Sequence, residues 1–173
     1  MAQRVLVAYG SRRGSTGEVA EAVAATLREH GHVVDVEPAG KARKAGAYDA
    51  VVLGGALYRG RWHPGARRFL KRERRRLASV PTAVFALGPR RDEAEAFERS
   101  RRQLERALAK APEVEPASTA VFGGVDRERG IDLRDWGAIR AWTESFSACL
   151  DDQPSANVTL TTAVTSLRSV DVS

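Results

Sequence analysis

Tyr9-Gly10-Ser11-Arg12-Arg13-Gly14-Ser15-Thr16-Gly17 is the stretch on which the reading of this chain turns. Ahead of it stands Arg4-Val5-Leu6-Val7-Ala8, a short apolar run suited to a buried strand. Behind it, Val19, Val23 and Leu27 recur every four residues and would form one apolar helical stripe. The segment between is built from Gly, Ser and Thr. Its backbone N–H groups precede the first turn of the helix, have no partners inside it, and lie at the positive end of its dipole. Small residues let an anion approach those amides, and hydroxyls add donors, so the geometry offers a phosphate site. Ser15 and Glu18 are spaced as a capping box for the same helix.

Spacing excludes two familiar phosphate loops. A dinucleotide fingerprint requires Gly-x-Gly-x-x-Gly, whereas Gly10, Gly14 and Gly17 are separated by four and three residues. A Walker loop ends in Gly-Lys-Ser/Thr, and no Lys stands in this one.

The remaining chain alternates strand and helix. Strands are expected near 3–9, 32–37, 48–54, 81–87 and 117–123, and helices near 15–29, 64–78, 92–110 and 133–149. Only the passage from the second strand to the third lacks a helical pattern, and Lys41 to Gly46 can cross as irregular chain. Repeated β-α units joined by right-handed crossovers give an α/β fold, an open five-stranded parallel sheet between two helical layers. The expected order is 2-1-3-4-5, with a ligand at the carboxyl ends of strands 1 and 3, where the winding reverses. In the last helix Trp136, Ile139, Trp142 and Phe146 are expected to face inward, and Cys149 to pack among them. Residues 1–150 form the expected domain. Residues 151–173, rich in Ser, Thr and Val after Pro154, are expected to be a poorly packed tail.

Composition sets wider bounds. With 173 residues and 43% apolar content, one domain with a full core is expected. The single Cys permits no internal disulfide, no apolar run is long enough to span a bilayer, and no signal-peptide pattern opens the chain, so a cytoplasmic location is expected. The net charge of +6 suits nucleic acid, anionic lipid or acidic proteins as partners and does not choose among them. No motif for specific nucleic-acid recognition and no metal-ligand pattern stands out. Arg67, Arg68, Lys71, Arg72 and Arg74 to Arg76 crowd the helix after Pro64, which is either a solvated face or a contact with an anionic membrane surface.

Tyr9, Ser11, Gly14, Thr16, Ala20 and Val23 fall where the flavodoxin signature places an aromatic, a hydroxyl, a small residue, Thr, Ala and an aliphatic. Over residues 3–150 the chain resembles flavodoxin-like FMN proteins. The resemblance implies the flavodoxin-like three-layer sandwich, FMN as cofactor, and three loops meeting at the carboxyl edge. The first, with Ser11, Arg12, Arg13, Gly14, Ser15 and Thr16, would hold the phosphate. The second, with Ala56, Leu57, Tyr58, Arg59 and Trp62, would flank the isoalloxazine ring, its backbone amides meeting the polar edge and an aromatic stacking on the face. The third, Gly88, Pro89 and Arg90, would close the other side. A receiver domain shares this strand order but needs an Asp at the end of strand 3, where Leu53-Gly54 stands.

Within that group, Gly55-Ala56-Leu57-Tyr58-Arg59-Gly60-Arg61-Trp62-His63 with Phe69-Leu70, and Arg134-Asp135-Trp136-x-x-Ile139-x-x-Trp142, are similar to the menaquinone-dependent protoporphyrinogen oxidase branch. That branch carries a longer insertion before its final strand or helix, and here the connections are short. Electron-carrier flavodoxins are typically acidic, and this chain is basic. The expected function is FMN-dependent oxidation or electron transfer between a reduced donor and a quinone or other small-molecule acceptor, at the inner face of a membrane or free of it. The redox chemistry asks for no protein acid, base or nucleophile. His63 is weighed as a proton relay against an ordinary residue before a helix-starting Pro. The alternative is a flavodoxin fold that has lost its flavin and serves as an interaction module.

Overall fold

Val5, Leu6, Val7 and Ala8 are all fully buried, so the first strand is covered on both faces, as its unbroken apolar run requires. The computed structural model describes residues 2–42 and 44–153. Its strands are β1 (Arg4–Gly10), β2 (Val33–Pro38), β3 (Ala50–Tyr58), β4 (Arg61–Trp62), β5 (Thr82–Leu87), β6 (Ser118–Phe122), β7 (Val125–Asp126) and β8 (Ile131–Asp132). Its helices are α1 (Ser15–Glu29), α2 (Pro64–Leu77), α3 (Ala94–Leu108) and α4 (Trp136–Asp151). The five long strands pair in parallel in the order β2-β1-β3-β5-β6, which is the expected 2-1-3-4-5 order.

Side chains alternate across the pleat and divide the core in two. Leu6, Ala8, Val51, Leu53, Val84 and Ala86 face α2 and α3, where Phe69, Leu70 and Leu104 cover them. Val5, Val7, Ala50, Val52 and Phe85 face α1 and α4, against Val19, Val23, Leu27, Ile139 and Phe146. The order of strands and the two covered faces make this a flavodoxin-like three-layer sandwich. The edge strand β2 buries only Val34, and its other residues are partly or fully exposed. A single 3-10 turn, Ala45–Ala47, replaces a helix between β2 and β3.

Several expectations change. β3 does not end at Gly54 but runs to Tyr58 and turns back as β4, with Leu57 opposite Trp62 and Tyr58 opposite Arg61. Arg59 and Gly60 close that hairpin with φ of 47° and 76°, the left-handed pair of a two-residue turn. The extension past Leu53 rests on two glycines: a Cβ on Gly54 would stand 2.1 Å from Phe85 Cζ, and one on Gly55 2.6 Å from Trp62 Nε1. The glycine-bearing loop after β6 also forms a hairpin, β7–β8. In α4 the inward stripe is Ile139, Thr143, Phe146 and Leu150. Trp136 lies before it and is 44% exposed, its ring covered on one side by the Arg134 guanidinium. Cys149 is exposed, not packed, because it falls off the same stripe. The capping box does not form. Gly14 takes the N-cap position with φ of 88° and no side chain caps the helix, which makes Ser15 its first residue. Of the tail expected at 151–173, Asp151 ends α4, and the residues after Gln153 lie outside the described residues. Among the described residues, no helix is long and apolar enough to cross a membrane.

Candidate functional site

The carboxyl ends of β1, β3, β5 and β6 open onto one cleft of about 670 Å³, its mouth included. At its floor the chain leaves β1 through Ser11 and enters α1. The Ser11 hydroxyl oxygen accepts from the Gly14 N–H at 2.9 Å, which folds the loop while leaving the hydroxyl proton free to donate. The first bond of the helix is Glu18 N–H to the Gly14 carbonyl, 3.1 Å, so the amides of Ser15, Thr16 and Gly17 precede the ladder and carry the positive end of the dipole. Thr16 is fully buried beneath this loop, and its Oγ1 has no hydrogen-bond partner. A buried hydroxyl left in that state costs about 1–3 kcal/mol. It is a donor in search of an acceptor at the end of the loop where an anion is favoured.

One wall is the β3–β4 hairpin. Ala56, Leu57 and Tyr58 line the cleft. Tyr58 is 41% exposed, with the guanidinium of Arg12 4.8 Å and that of Arg59 5.4 Å from its ring centre. These contacts hold a flat aromatic surface at the mouth. Trp62, the other aromatic expected here, turns the opposite way. It is 1% exposed, packs into the α2–α3 core and donates from Nε1 to the Gly55 carbonyl at 3.0 Å. The cross-strand pairing of β4 puts its side chain on the inner face, so the aromatic surface offered to a ligand is Tyr58.

The opposite wall comes from β5 and β6. Gly88 and Arg90 line the cleft, and Pro89 lies just outside it, in the recess beside Arg59. The Pro89 carbonyl accepts from the Gly124 N–H at 2.8 Å, which joins this loop to the one after β6. The approach is close enough that a Cβ on Gly124 would stand 2.7 Å from the Gly88 carbonyl oxygen. Arg90 is held by Asp126 at 3.6 Å. Gly124 and Val125 therefore belong to the site, although the sequence reading did not place them there. Their signal was present: Gly123-Gly124 follows the apolar run of β6 as Gly54-Gly55 follows that of β3.

His63 also lines the cleft. Its Nδ1 accepts from the Gly65 N–H at 3.0 Å and caps α2, which leaves the proton of the neutral ring on Nε2. Burial, and then the positive charges of Arg12, Arg68 and Arg67, hold its pKa below the usual imidazole value, so the neutral ring is favoured. Gly10 makes room for it, since a Cβ there would stand 2.3 Å from Nδ1.

The β7–β8 hairpin is fastened over the first turn of α1. Arg134, with only 8% of its side chain exposed, reaches Asp132 at 2.6 Å and Glu18 at 2.5 Å. Arg127 adds a bond to Glu18 at 3.0 Å, and Arg13 meets Glu128 at 3.3 Å. The hydrogen bond from Arg134 holds the Asp132 carboxyl down at about 2, and the same guanidinium lowers that of Glu18. Glu18 is thus engaged by arginines instead of reaching back to cap its helix.

Of the expected residues, Ser11, Arg12, Arg13, Ser15, Ala56, Leu57, Tyr58, Gly88 and Arg90 share the cleft. Gly14 and Thr16 flank the lining residue Ser15 in the same loop and first helical turn but do not themselves line the cleft. Arg59 borders the recesses beside it, and Trp62 meets one of them only at its edge.

This geometry has relatives. The Flavodoxin domain family model matches residues 6–142. Over 86 residues the chain is 30% identical to the protoporphyrinogen IX dehydrogenase [quinone] of Escherichia coli K12, a match covering 49% of this chain and 48% of that protein. The alignment thus spans about half the length of the curated relatives it matches, the O157:H7 protein included. Among solved structures, a cysteine-to-alanine mutant of the flavodoxin from Pseudomonas aeruginosa superposes with a TM-score of 0.62 at 17% identity, over 86% of this chain and 99% of that one. The flavodoxin of Streptococcus pneumonia TIGR4 gives 0.56 at 21% identity, over 86% and 97%. Both likenesses are of fold. The family match, which takes in the phosphate-type loop, the Tyr58 hairpin and the start of α4, is of sequence: this chain belongs to the flavodoxin domain family.

Proposed function

We propose that the cleft binds FMN and that the chain is an electron-transfer flavoprotein or FMN-dependent oxidoreductase, serving a reduced donor and a quinone or other small-molecule acceptor. The observation that carries this reading is the buried, partnerless hydroxyl of Thr16 in the first turn of α1, whose leading amides precede the hydrogen-bond ladder of the helix. A phosphate would supply the missing acceptor. Backbone amides of Arg12, Arg13, Ser15 and Thr16 and the Ser11 and Ser15 hydroxyls would hold that group, the Gly14 N–H being taken by Ser11 Oγ. Arg12 or Arg13 would add charge.

Tyr58 would cover one face of the ring, and the backbone of Ala56 to Arg59 would meet its polar edge. Gly88, Pro89 and Arg90 would close the far side. When bound, the flavin supplies the electron chemistry, and the protein supplies binding, orientation and electrostatics. Arg90 is partly neutralised by Asp126, so it would favour negative charge near the ring less than a free guanidinium would. The quinone-linked part of the reading is supported by the partial match to a protein named as a quinone-dependent protoporphyrinogen IX dehydrogenase.

The test is purification followed by flavin extraction and titration of the stripped protein with FMN, read by quenching of flavin fluorescence. A yellow preparation releasing FMN, and saturable quenching, are expected. Folded protein that ignores FMN at high micromolar concentration would overturn the redox reading in favour of a flavin-free interaction module.

A further inference from the structure

Next to the cleft lies a recess of about 910 Å³ bordered by Arg12, Arg59, Arg61 and Arg67. It shares Arg12, Tyr58 and His63 with the cleft. Through Pro64 and Arg67 it continues into a groove of about 720 Å³ between α2 and α3, edged by Arg68, Lys71 and Lys110 over a floor of Leu70, Ala107 and Ala111. No carboxylate lines either cavity. Among the described residues none of these seven cations joins an ion pair, and the two cavities gather them side by side. Like charges held together without counter-charges destabilise a folded surface. The neighbouring cations also act together on His63, whose pKa they lower.

We infer that this strip, running from the cleft mouth into the α2–α3 groove, is the docking face for an acidic protein. That the partner exchanges electrons with the cleft rests on the function proposed above. The docking itself does not, since Arg68, Lys71 and Lys110 of the α2–α3 groove lie outside the loops that would hold FMN. The shape selects a protein over a flat surface. The groove is concave, with an apolar floor and a charged rim, which is the anatomy of a protein–protein contact. A bilayer would touch the ridges and leave the floor uncovered. Carboxylate side chains of a folded partner can reach down to the arginines, and long-range attraction would speed its arrival. Arg12 and Arg59 stand at the end of the strip, so a docked protein would lie against Tyr58.

The experiment uses the full chain and, as probe, an acidic [2Fe–2S] ferredoxin in its oxidised form, with association followed by surface plasmon resonance. Micromolar binding is expected at about 20 mM ionic strength, weakening at least about tenfold near 200 mM as the screening length shrinks. Two variants of equal net charge separate a local from a global effect. R68Q/K71Q/K110Q removes three cations from the strip, and A141E/S145E/A148E adds three carboxylates to exposed positions of α4 on the opposite layer. The first is expected to lose affinity at least about tenfold with FMN affinity unchanged, and the second to keep most of its affinity. Equal losses in both variants, or no salt-sensitive binding at all, would overturn the inference. So would vesicles containing phosphatidylserine, or duplex DNA, binding better than ferredoxin and losing that binding only in the strip variant. If FMN fails to bind while the strip variant still loses ferredoxin, docking stands and the flavin reading falls.

Discussion

Thr16→Val separates the two states of the proposed phosphate site by giving them effects of opposite sign. Val matches Thr in shape and branching and lacks the hydroxyl, so the buried position in the first turn of α1 stays filled. In the protein without FMN, Thr16 Oγ1 is buried with nothing to bond. Removing it relieves a desolvation cost of about 1–3 kcal/mol. The unliganded variant should therefore be at least as stable as the parent, with a melting temperature raised by roughly 2–10 °C for a chain of this size.

With FMN the same hydroxyl would donate to a charged oxygen, a bond worth about 1.5–3 kcal/mol. Its loss weakens binding by roughly 10- to 150-fold. Differential scanning fluorimetry without ligand, and fluorescence titration with FMN, measure the two arms. The gap between liganded and unliganded melting temperatures should shrink accordingly, since ligand stabilisation follows the ratio of free ligand to Kd. Thr16→Asp places a like charge at the same point and should abolish binding. Unchanged FMN affinity in Thr16→Val, or an unliganded protein destabilised by more than about 1 kcal/mol, would refute the reasoning, because the hydroxyl would then be serving the fold.

Three further expectations follow from the packing and the charges. Gly54→Ala drives a Cβ into the buried Phe85 ring, and overpacking of this kind should cost about 1–3 kcal/mol, read as a lower urea midpoint. Arg134→Gln frees Asp132 and Glu18, whose pKa values this guanidinium holds below their usual range. The stability they lend is complete above their ordinary values of 3.8 and 4.5 and is lost as pH falls toward about 2. The difference in urea midpoint between parent and variant should therefore be largest near neutrality and narrow in acid. His32 accepts from the Gln3 N–H at Nδ1 and bonds Ser147 through Nε2, and burial depresses its pKa. Its contribution is present above 6.5 and declines as pH falls below it, so His32→Gln should flatten the acid side of the stability profile.

The sheet was legible because burial on both faces writes itself as unbroken apolar runs. Val5 to Ala8, Ala50 to Leu53 and Ala83 to Leu87 are each such a run, and each became a central strand. What sequence did not disclose was where chain continues past a run. β3 goes on through Gly54 and Gly55 because those positions meet Phe85 and Trp62, contacts made by residues 31 and 7 positions away and invisible to periodicity. That continuation decides the site. It sets the register in which Trp62 turns into the core and Tyr58 stays in the open, so the aromatic wall follows from a hairpin, not from composition. Gly124 and Val125 were missed for a related reason. A short hairpin of two-residue strands has no period long enough to read, and its position depends on Arg134 pairing with Glu18 more than a hundred residues away.

Three departures of this chain from local good sense gather at the cleft and the cavities beside it. A buried hydroxyl lacks a partner at Thr16, an arginine adopts a left-handed backbone at position 59, and seven cations gather without counter-charge from Arg12 to Lys110. Each costs stability, and folding alone would not place them together. Elsewhere the same chain satisfies comparable groups with care: Tyr48 bonds Asp35, Trp142 bonds Ser118, and Arg140 bonds Glu29. A fold that settles these groups and leaves Thr16 and the seven cations wanting around the cleft has set unmet interactions where a ligand and a partner would meet them. Thr16 asks for an anion the size of a phosphate. The arginines beyond it ask for negative charge spread over a protein-sized surface. Two unmet demands of different scale, sharing Arg12 and Tyr58 at their border, are what a small bound redox group read by a larger docking molecule requires.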